Sequence, residues 1–322
     1  MTNLKSDQHN ARRIELSFVV INYFSADLAT KLITHINSFN APKNTNISII
    51  CVDNSAQIDQ QRSLERTQKK SRHPLTLIVN PDNQGFGHAI NTALKNHFFD
   101  YFFCINPDVT LHETSLDTLL THAVNNADQG LWGGLTVDEH SKADYRHAWQ
   151  EPSLTNTLGW ALGLKHLIRQ PQWQDNYRHK VQSSTQPYPV DSLSGCCFLM
   201  SAPAWRATQG FDINFFLYSE EIDLCRRARS AGYQPTVVPQ ATLTHSTHTK
   251  SESIKRVPII YSAKLRYAQK HHGLTYNLLF RLAVAIGTSL RGLKALILGQ
   301  IPACTVWAKL TLKALFSIRN FS

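Results

Sequence analysis

"LTLIVNPDNQGFGHAINTALKNH", residues 75–97, carries three instructions in order. Residues 75–79 are apolar or β-branched without interruption, which suits a strand buried on both faces of a sheet. Asn80 to Gly87 then brings Pro, Asp, Asn and two glycines, the residues of a tight turn. The text after Gly87 reads as a helix. A strand, a glycine turn and a helix make one repeat of an α/β fold, and the flanking text supplies more of them. "IELSFVVINYF" (14–24) is a continuous apolar run, and Ser25 and Asp27 offer caps for a helix from Leu28 to Phe39. "NISIICVDNS" (46–55) and "FDYFFCINPDV" (99–109) are further strands that end in polar residues. This rhythm predicts a doubly wound α/β unit over residues 14–125. Ligands of such sheets collect beyond the carboxyl ends of the strands, where Asp53, Asn83 and Asp108 all fall.

From 127 to 189 the pattern weakens into Trp-, His-, Gln- and Pro-rich text, which reads as irregular structure carrying acceptor contacts. Order returns at "YPVDSLSGCCFLMSAPAWRATQGFD" (188–212), a strand-like run and a short helix with Gly210 at its end. "YSEEIDLCRRARSAGY" (218–233) is an amphipathic helix closed by Gly232. "PTVVPQATLTHSTH" (235–248) is a last strand leading into a loop that holds His245 and His248.

Composition narrows the partners. The chain has 322 residues and a net charge of +10, a surplus that points to an anionic partner. No zinc-finger spacing, RNA-binding signature or arginine-aromatic stripe appears, which argues against nucleic acid. Cysteines 51, 104, 196, 197, 225 and 304 show no CxxC pair and read as buried, reduced thiols of a cytosolic chain. "MTNLKSDQHNARR" lacks an apolar core and reads as a loose tail rather than a signal peptide. From about Ser251 the text is basic, apolar and helical. Arg281, Arg291, Lys294, Lys309 and Lys313 keep any uncharged stretch below the roughly 18 residues of a spanning helix. Arg291 and Lys294 share a face by spacing, as do Lys309 and Lys313, leaving Leu, Ile and Val to the others. The expectation is an amphipathic segment at an anionic membrane surface; the alternative is a helix packed on its own domain or in a homodimer.

Several residues carry chemistry. Asp53 at a strand tip can accept a hydrogen bond from a base N–H or a ribose hydroxyl, although Asp-Asn-Ser is also ordinary turn text. Gly85 and Gly87 allow close approach to a ligand, and the helix after them presents free N–H groups to phosphate. The absence of a GxGxxG pattern argues against a nicotinamide enzyme. Asp108, with the amide of Asn106, offers hard oxygen ligands for Mg²⁺ or Mn²⁺. Glu220, Glu221 and Asp223 cluster at a helix start, sheltered by "FDINFFLY" (211–218), where a partly desolvated carboxylate makes a good general base.

Together "VVINYFSAD", "VDNS", "NQGFGHAIN", "NPDV", "VDSLSGCCFLM", "FDINFFLYSEEIDLCRR" and "HSTH" resemble family 2 inverting glycosyltransferases of the GT-A fold, in particular rhamnosyltransferase-like members, over residues 16–250. The resemblance implies a Rossmann-like α/β fold with a mixed, mostly parallel sheet flanked by helices, here followed by the helical tail. It implies a nucleotide-sugar-binding half at 14–125 and an acceptor-binding and catalytic half at 126–250, to which the charge pattern adds a membrane-associating segment at 251–322. Asn22, Asp53, Asn54, Asn83, Gly85, Phe86, Asn91, Asn106 and Gly195 would contact the donor, and Asp108 and His245 would hold the metal. The base would be Glu221, with Glu220 and Asp223 as alternatives, because the family commonly has Glu-Asp where this chain has Glu220-Glu221. The relatives' glycine after the histidine is also missing at His245. The implied reaction moves a sugar, rhamnose first, from a dTDP- or UDP-sugar to a glycan or polyprenyl-diphosphate-linked acceptor, at the inner face of the cytoplasmic membrane. A non-catalytic binder of nucleotide sugar or glycan in an assembly complex, or a transferase of galactose, galactofuranose or N-acetylglucosamine, is the alternative.

Overall fold

The computed structural model describes residues 12–163, 177, 180–181, 184–246, 254 and 256–316. In chain order its strands are β1 (Ile14–Asn22), β2 (Thr45–Asp53), β3 (Leu75–Val79), β4 (Tyr101–Ile105), β5 (Val109–Leu111) and β6 (Leu131–Val137). After these come β7 (Ala148–Trp149), β8 (Tyr188–Pro189), β9 (Ser192–Leu193), β10 (Cys197–Ser201) and β11 (Thr236–His245). Among the described residues nine of them form one sheet in the order β3-β2-β1-β4-β10-β6-β11-β5, with β8 beside β11. β1 pairs in parallel with β2 and β4, β2 with β3, and β6 with β11, while β5, β8 and β10 run the opposite way. The sheet is therefore mixed and mostly parallel, and residues 14–125 and 126–250 both supply strands to it.

The uninterrupted apolar text of β1 follows from its position. Leu16, Phe18 and Val20 enter a core on one face, packed with Ile33 and Ile36 of the helix Ala26–Ser38. Val19 and Ile21 alternate into a second core on the other face with Ala89, Ile90 and Phe102. Both faces are dry, so the strand shows no polar alternation.

The expectation of irregular structure from 127 to 189 fails at its start, because β6 runs through the centre of the sheet. Its text, "LWGGLTV", looks unlike a strand because of Gly133 and Gly134. Both glycines answer to crowding. A Cβ on Gly134 would stand 2.3 Å from the Ala241 carbonyl oxygen, and one on Gly133 would stand 2.8 Å from Leu193 Cδ2. β11 bulges between Val238 and Thr242 where it meets β6, so the two backbones approach too closely for side chains.

The tail forms helices Val257–His271, Leu274–Ile297 and Ile301–Phe316, and none of the described helices is long and apolar enough to cross a membrane. The expected division of faces is reversed for two of its arginines. Arg291 lies over the Trp160 ring at 3.8 Å and donates to the Trp160 and Gly287 carbonyls, and Arg281 is buried and donates to the Lys313 carbonyl. The tail thus packs on its own domain through Arg291 as well as through an apolar cluster of Leu265, Phe280, Val284 and Ala285 against Leu154, while Leu278, Leu282, Ile286, Leu290, Leu293 and Ile297 remain exposed.

Candidate active site

At the carboxyl end of the parallel strands lies a cleft of about 440 Å³, lined by Tyr23, Ser25, Asn54, Asn83, Gly85, Phe86, Asn106, Pro107, Asp108, Phe216, Leu217 and Ile259 among others. Asn22 and Asp53, register partners at the ends of β1 and β2, are buried beneath the lining residues Ile21, Tyr23 and Asn54, next to them in sequence, and do not themselves line the cleft. Asn22 Nδ2 donates to Asp53 Oδ1 at 2.8 Å, and its Oδ1 accepts from the Ser25 amide and hydroxyl. Ser55 also donates to Asp53 Oδ1 through both its amide and its hydroxyl. Asp53 Oδ2 is buried with no partner among the described residues. A carboxylate so firmly oriented, with one oxygen left over, has an acceptor to offer a ligand.

The glycine turn is tied to the far wall. Gly85 has φ +102°, and a Cβ there would lie 2.3 Å from the Phe216 carbonyl oxygen, which accepts from the Phe86 amide at 3.1 Å. Asn83 Oδ1 accepts from the Gly85 amide, and Asn54 links Asn80, Asn83 and the Gly85 carbonyl. Asn91 is used differently. Its amide donates to the Phe211 carbonyl and accepts from the Phe211 amide, which fixes the loop before the acidic helix, and it does not line the cleft. Gly195 stands between Phe86 and Glu221, with both side chains within 3.9 Å of where its Cβ would be.

Asp108 sits in the turn between β4 and β5, where the Asn106 amide donates to the Cys196 carbonyl and the Val109 amide to the Asn106 carbonyl. The proline in this turn ends β4 and reverses the chain, so that β5 runs back along the end of β11 with Val109 opposite His245. Asp108 Oδ2 lies 3.5 Å from His245 Nε2, and His245 Nδ1 lies 3.1 Å from Asp144 Oδ2. Burial works against the charged imidazole, but hydrogen bonds to Asp108 and Asp144 outweigh it and push His245 up to about 10. Asp108 Oδ1 is buried and has no partner among the described residues. Adjacent ligands of an octahedral ion at about 2.1 Å stand about 3 Å apart, so this 3.5 Å pair would suit a small divalent cation once the cation displaces the Nε2 proton, with Asp144 orienting the ring from behind. No group of three or more His, Cys, Asp or Glu residues converges on such a position among the described residues. Mg²⁺ and Mn²⁺ sites that also use substrate phosphate need no more than one or two protein ligands. His248 lies outside the described residues.

The three acidic candidates separate by environment. The helix Glu220–Ser230 begins after Tyr218 and Ser219, two consecutive non-glycine residues with φ +70° and +65°. Strain of this kind, about 1 kcal/mol or more per residue, persists only where the surroundings enforce it. Burial raises Glu220 well above the ordinary carboxylate range, the charge of Glu221 adds to this, and its Oε2 has no partner among the described residues. Burial pushes Glu221 up to about 7, and a hydrogen bond from Glu220 works against that rise. Asp223 is fully buried, but Arg227, Lys270 and His271 take its oxygens at 2.8, 2.6 and 2.7 Å and outweigh the burial, holding it down at about 2. With both oxygens engaged, Asp223 has none for a substrate proton and serves to dock the tail helix Val257–His271.

The residues brought together without a sequence signal are Asp144 and Ile259. Asp144 falls in the unpatterned stretch and Ile259 in the tail, and nothing local in either place announces a strand-end cleft. All six cysteines are free, five of them buried.

The mixed, mostly parallel sheet flanked by helices, with carboxylates at its strand ends, has the GT-A arrangement. The sequence profile of glycosyl transferase family 2 matches residues 17–206, and the chain belongs to that family. It is 29% identical over 247 residues to the N-acetylglucosaminyl-diphospho-decaprenol L-rhamnosyltransferase of Mycobacterium tuberculosis, covering 71% of this chain and 73% of that one. It is 26% identical over 177 residues to rhamnosyltransferase WbbL of Escherichia coli, covering 52% and 63%. Among solved structures, a mannosyltransferase from Pyrobaculum calidifontis in complex with GDP-Man and Mn²⁺ superimposes with a TM-score of 0.59 at 13% identity, over 96% of this chain and 89% of that one. GalNAc-T7 with UDP, GalNAc and Mn²⁺ gives 0.58 at 13% identity, and here the match covers 81% of this chain and 48% of the other.

Proposed function

We propose that this chain is an inverting glycosyltransferase that moves a sugar, rhamnose first, from a dTDP- or UDP-sugar to a lipid-linked or growing surface-glycan acceptor. The observation that carries the reading is the contrast between strand-end and helix-start carboxylates. Asp53 and Asp108 each keep a buried oxygen with no partner among the described residues, while burial pushes Glu221, beside Gly195 and Phe86, up to about 7. Asp53, held by Asn22 and Ser55, receives the base or ribose, while Asn54, Asn83, Gly85 and Phe86 line the path of the nucleotide and sugar. A Mg²⁺ or Mn²⁺ ion held by Asp108 and His245 would neutralise the departing diphosphate. Glu221 takes the proton of an acceptor hydroxyl, whose oxygen attacks the anomeric carbon in line as the nucleoside diphosphate leaves, and the configuration inverts. Glu220, kept protonated by burial, donates a hydrogen bond to Glu221 and holds it in place.

The acceptor class follows the Mycobacterium relative, whose name includes a diphospho-decaprenol substrate. The charge distribution supports the same direction. Residues 253–322 hold eleven of the 33 Lys and Arg and none of the 23 Asp and Glu, so the rest of the chain is near neutral. The exposed Leu and Ile row of Leu274–Ile297 gives this basic tail an apolar face for an anionic bilayer, at the inner face of the cytoplasmic membrane. The test is transfer from a panel of nucleotide sugars to a synthetic polyprenyl-diphosphate sugar with Mn²⁺, reading the anomeric configuration of the product by NMR. An inverted product supports the reading. Nucleotide-sugar binding without transfer or hydrolysis would favour a non-catalytic binder.

A further inference from the structure

The helices Leu274–Ile297 and Ile301–Phe316 form an antiparallel hairpin with a clear register. Thr288 Oγ1 meets Thr311 Oγ1 at 2.8 Å, and Gly292 faces Trp307, where a Cβ would stand 3.3 Å from the Trp307 Cβ. Both pairs place the reversal at Gly299 and Gln300, and from Ala295 to Ala308 the chain carries no charge. Leu293, Leu296, Ile297, Leu298 and Ile301 crowd this end, and each is more than half exposed. Bare apolar surface gathered in this way marks a contact.

The backbone of the turn is equipped for a dry medium. Gly299, at φ +67°, lets the chain reverse, and the amides of Leu298, Gly299, Gln300 and Ile301 donate to the carbonyls of Lys294, Leu296, Ala295 and Gly299. Pro302 has no N–H to satisfy, and the Cys304 amide donates to the Gln300 carbonyl. Hydrocarbon offers no partners to amides, so this internal bonding is what burial in lipid requires. The charges stand back from the tip. Lys294 and Lys309 are exposed, and Trp307 lies two residues before Lys309. At 1.5 Å per residue, Lys294 is about 6 Å from Leu298 and Lys309 about 12 Å from Ile301. Interfacial helices bury their apolar side chains about 5–10 Å deep, so both lysines come to the level of the lipid phosphates as the tip enters, a level that Trp also favours. Residues 253–322 contain no Asp or Glu, so a second hairpin would bring like charges together, whereas an anionic leaflet supplies the opposite one.

We infer that the turn between these helices is a depth anchor: Leu296 to Ile301 inserts tip first into one leaflet of an anionic bilayer, with Lys294 and Lys309 at its phosphates. The inference rests on the proposed bilayer contact and gives it a geometry, in which the row from Leu274 to Leu290 lies shallower than the tip. Only His272 and Gly273 separate the hairpin from the helix Val257–His271, which contributes Ile259 to the cleft. The anchor therefore also sets the height of the cleft above the lipid.

The experiment attaches a nitroxide label to Leu298→Cys or to Leu278→Cys in full-length protein carrying Cys304→Ser, the other five cysteines being buried. Protein bound to vesicles of phosphatidylglycerol and phosphatidylcholine is read by the label's accessibility to oxygen and to a nickel chelate. The label at 298 should lie about 5–10 Å below the phosphates, and the label at 278 at or above them. Ile297→Asp with Leu298→Asp should weaken vesicle binding about 100-fold or more, because burying each side chain is worth about tenfold or more. Its affinity for dTDP or UDP should stay unchanged, which separates lipid contact from misfolding. Lys294→Gln with Lys309→Gln should lose about tenfold or more on phosphatidylglycerol and nothing on phosphatidylcholine alone. Vesicle binding untouched by the Asp pair, or a label at 298 no deeper than the one at 278, overturns the inference; equal depths would leave a hairpin lying flat and the bilayer contact intact. A dimer abolished by the Asp pair, with no vesicle binding by wild type, would give the tip to a second copy and overturn the bilayer contact as well. Deep insertion by a protein that binds no nucleoside diphosphate would support the anchor while sinking the transferase reading.

Discussion

Glu221→Gln tests the assignment of the base through a pH profile. With Glu221 near 7, about half of the enzyme carries the ionised base at pH 7 and about a tenth at pH 6, so kcat/KM should fall close to tenfold per unit on the acid side. Gln keeps the shape of the side chain but cannot take a proton. Transfer should drop by about 100-fold or more, and the acid limb near 7 should disappear from what activity is left. Because a hydrogen bond from Glu220 lowers Glu221, Glu220→Ala should move the limb upward, whereas Glu220→Gln, which still donates, should leave it closer to its wild-type position. The assay is initial-rate transfer at saturating Mn²⁺ from pH 5.5 to 8.5, with donor affinity followed in parallel. Near-normal turnover by Glu221→Gln, or a wild-type profile flat across this range, would refute the assignment.

The same carboxyl has a stability signature of known sign. Its folded value lies above the unfolded one, so its stabilising contribution is complete below about 4.5 and lost as pH rises through 7. Glu221→Gln should therefore raise Tm relative to wild type at pH 8 more than at pH 5, and a uniform shift would count against a buried, proton-holding Glu221. Asp223→Ala should cost about 3 kcal/mol or more in urea unfolding, because Arg227, Lys270 and His271 lose a buried counter-ion. Asp223 has the opposite sign of pH dependence: its contribution is present above about 3.8 and fades as pH falls through 2. Gly134→Ala should destabilise by about 1–3 kcal/mol through collision with Ala241 and Leu243, and a neutral result would mean that β6 and β11 can separate freely.

The parallel half of the sheet was legible because strands buried on both faces write themselves as unbroken apolar runs, as β1 and β2 do. The glycine turn at Gly85 was legible for the same physical reason that it is needed, since a positive φ and contact with the Phe216 carbonyl admit no side chain. β6 was not, because the closeness that makes it central also strips it of the β-branched residues that mark a strand. The acidic cluster announced a site, yet its division of labour depends on partners distant in sequence. Lys270 and His271, some 48 residues from Asp223, take it out of contention, and no local pattern foretells that. Asp144 reaches His245 across 101 residues and was equally silent. In the tail, periodicity set charges and leucines on separate faces, but it could not tell which face would turn inward. Trp160 decided that by offering Arg291 an aromatic surface.

A nucleoside diphosphate lying between Asp53 and Asp108 is the central claim. A crystal of the protein with dTDP or UDP and Mn²⁺, read by manganese anomalous scattering, measures this directly. The anomalous peak should lie about 2.1 Å from a carboxylate oxygen of Asp108 and within reach of His245 Nε2, with the base against Asp53 Oδ2. Manganese and phosphates bound in any other cavity, with Asp108 untouched, would contradict it.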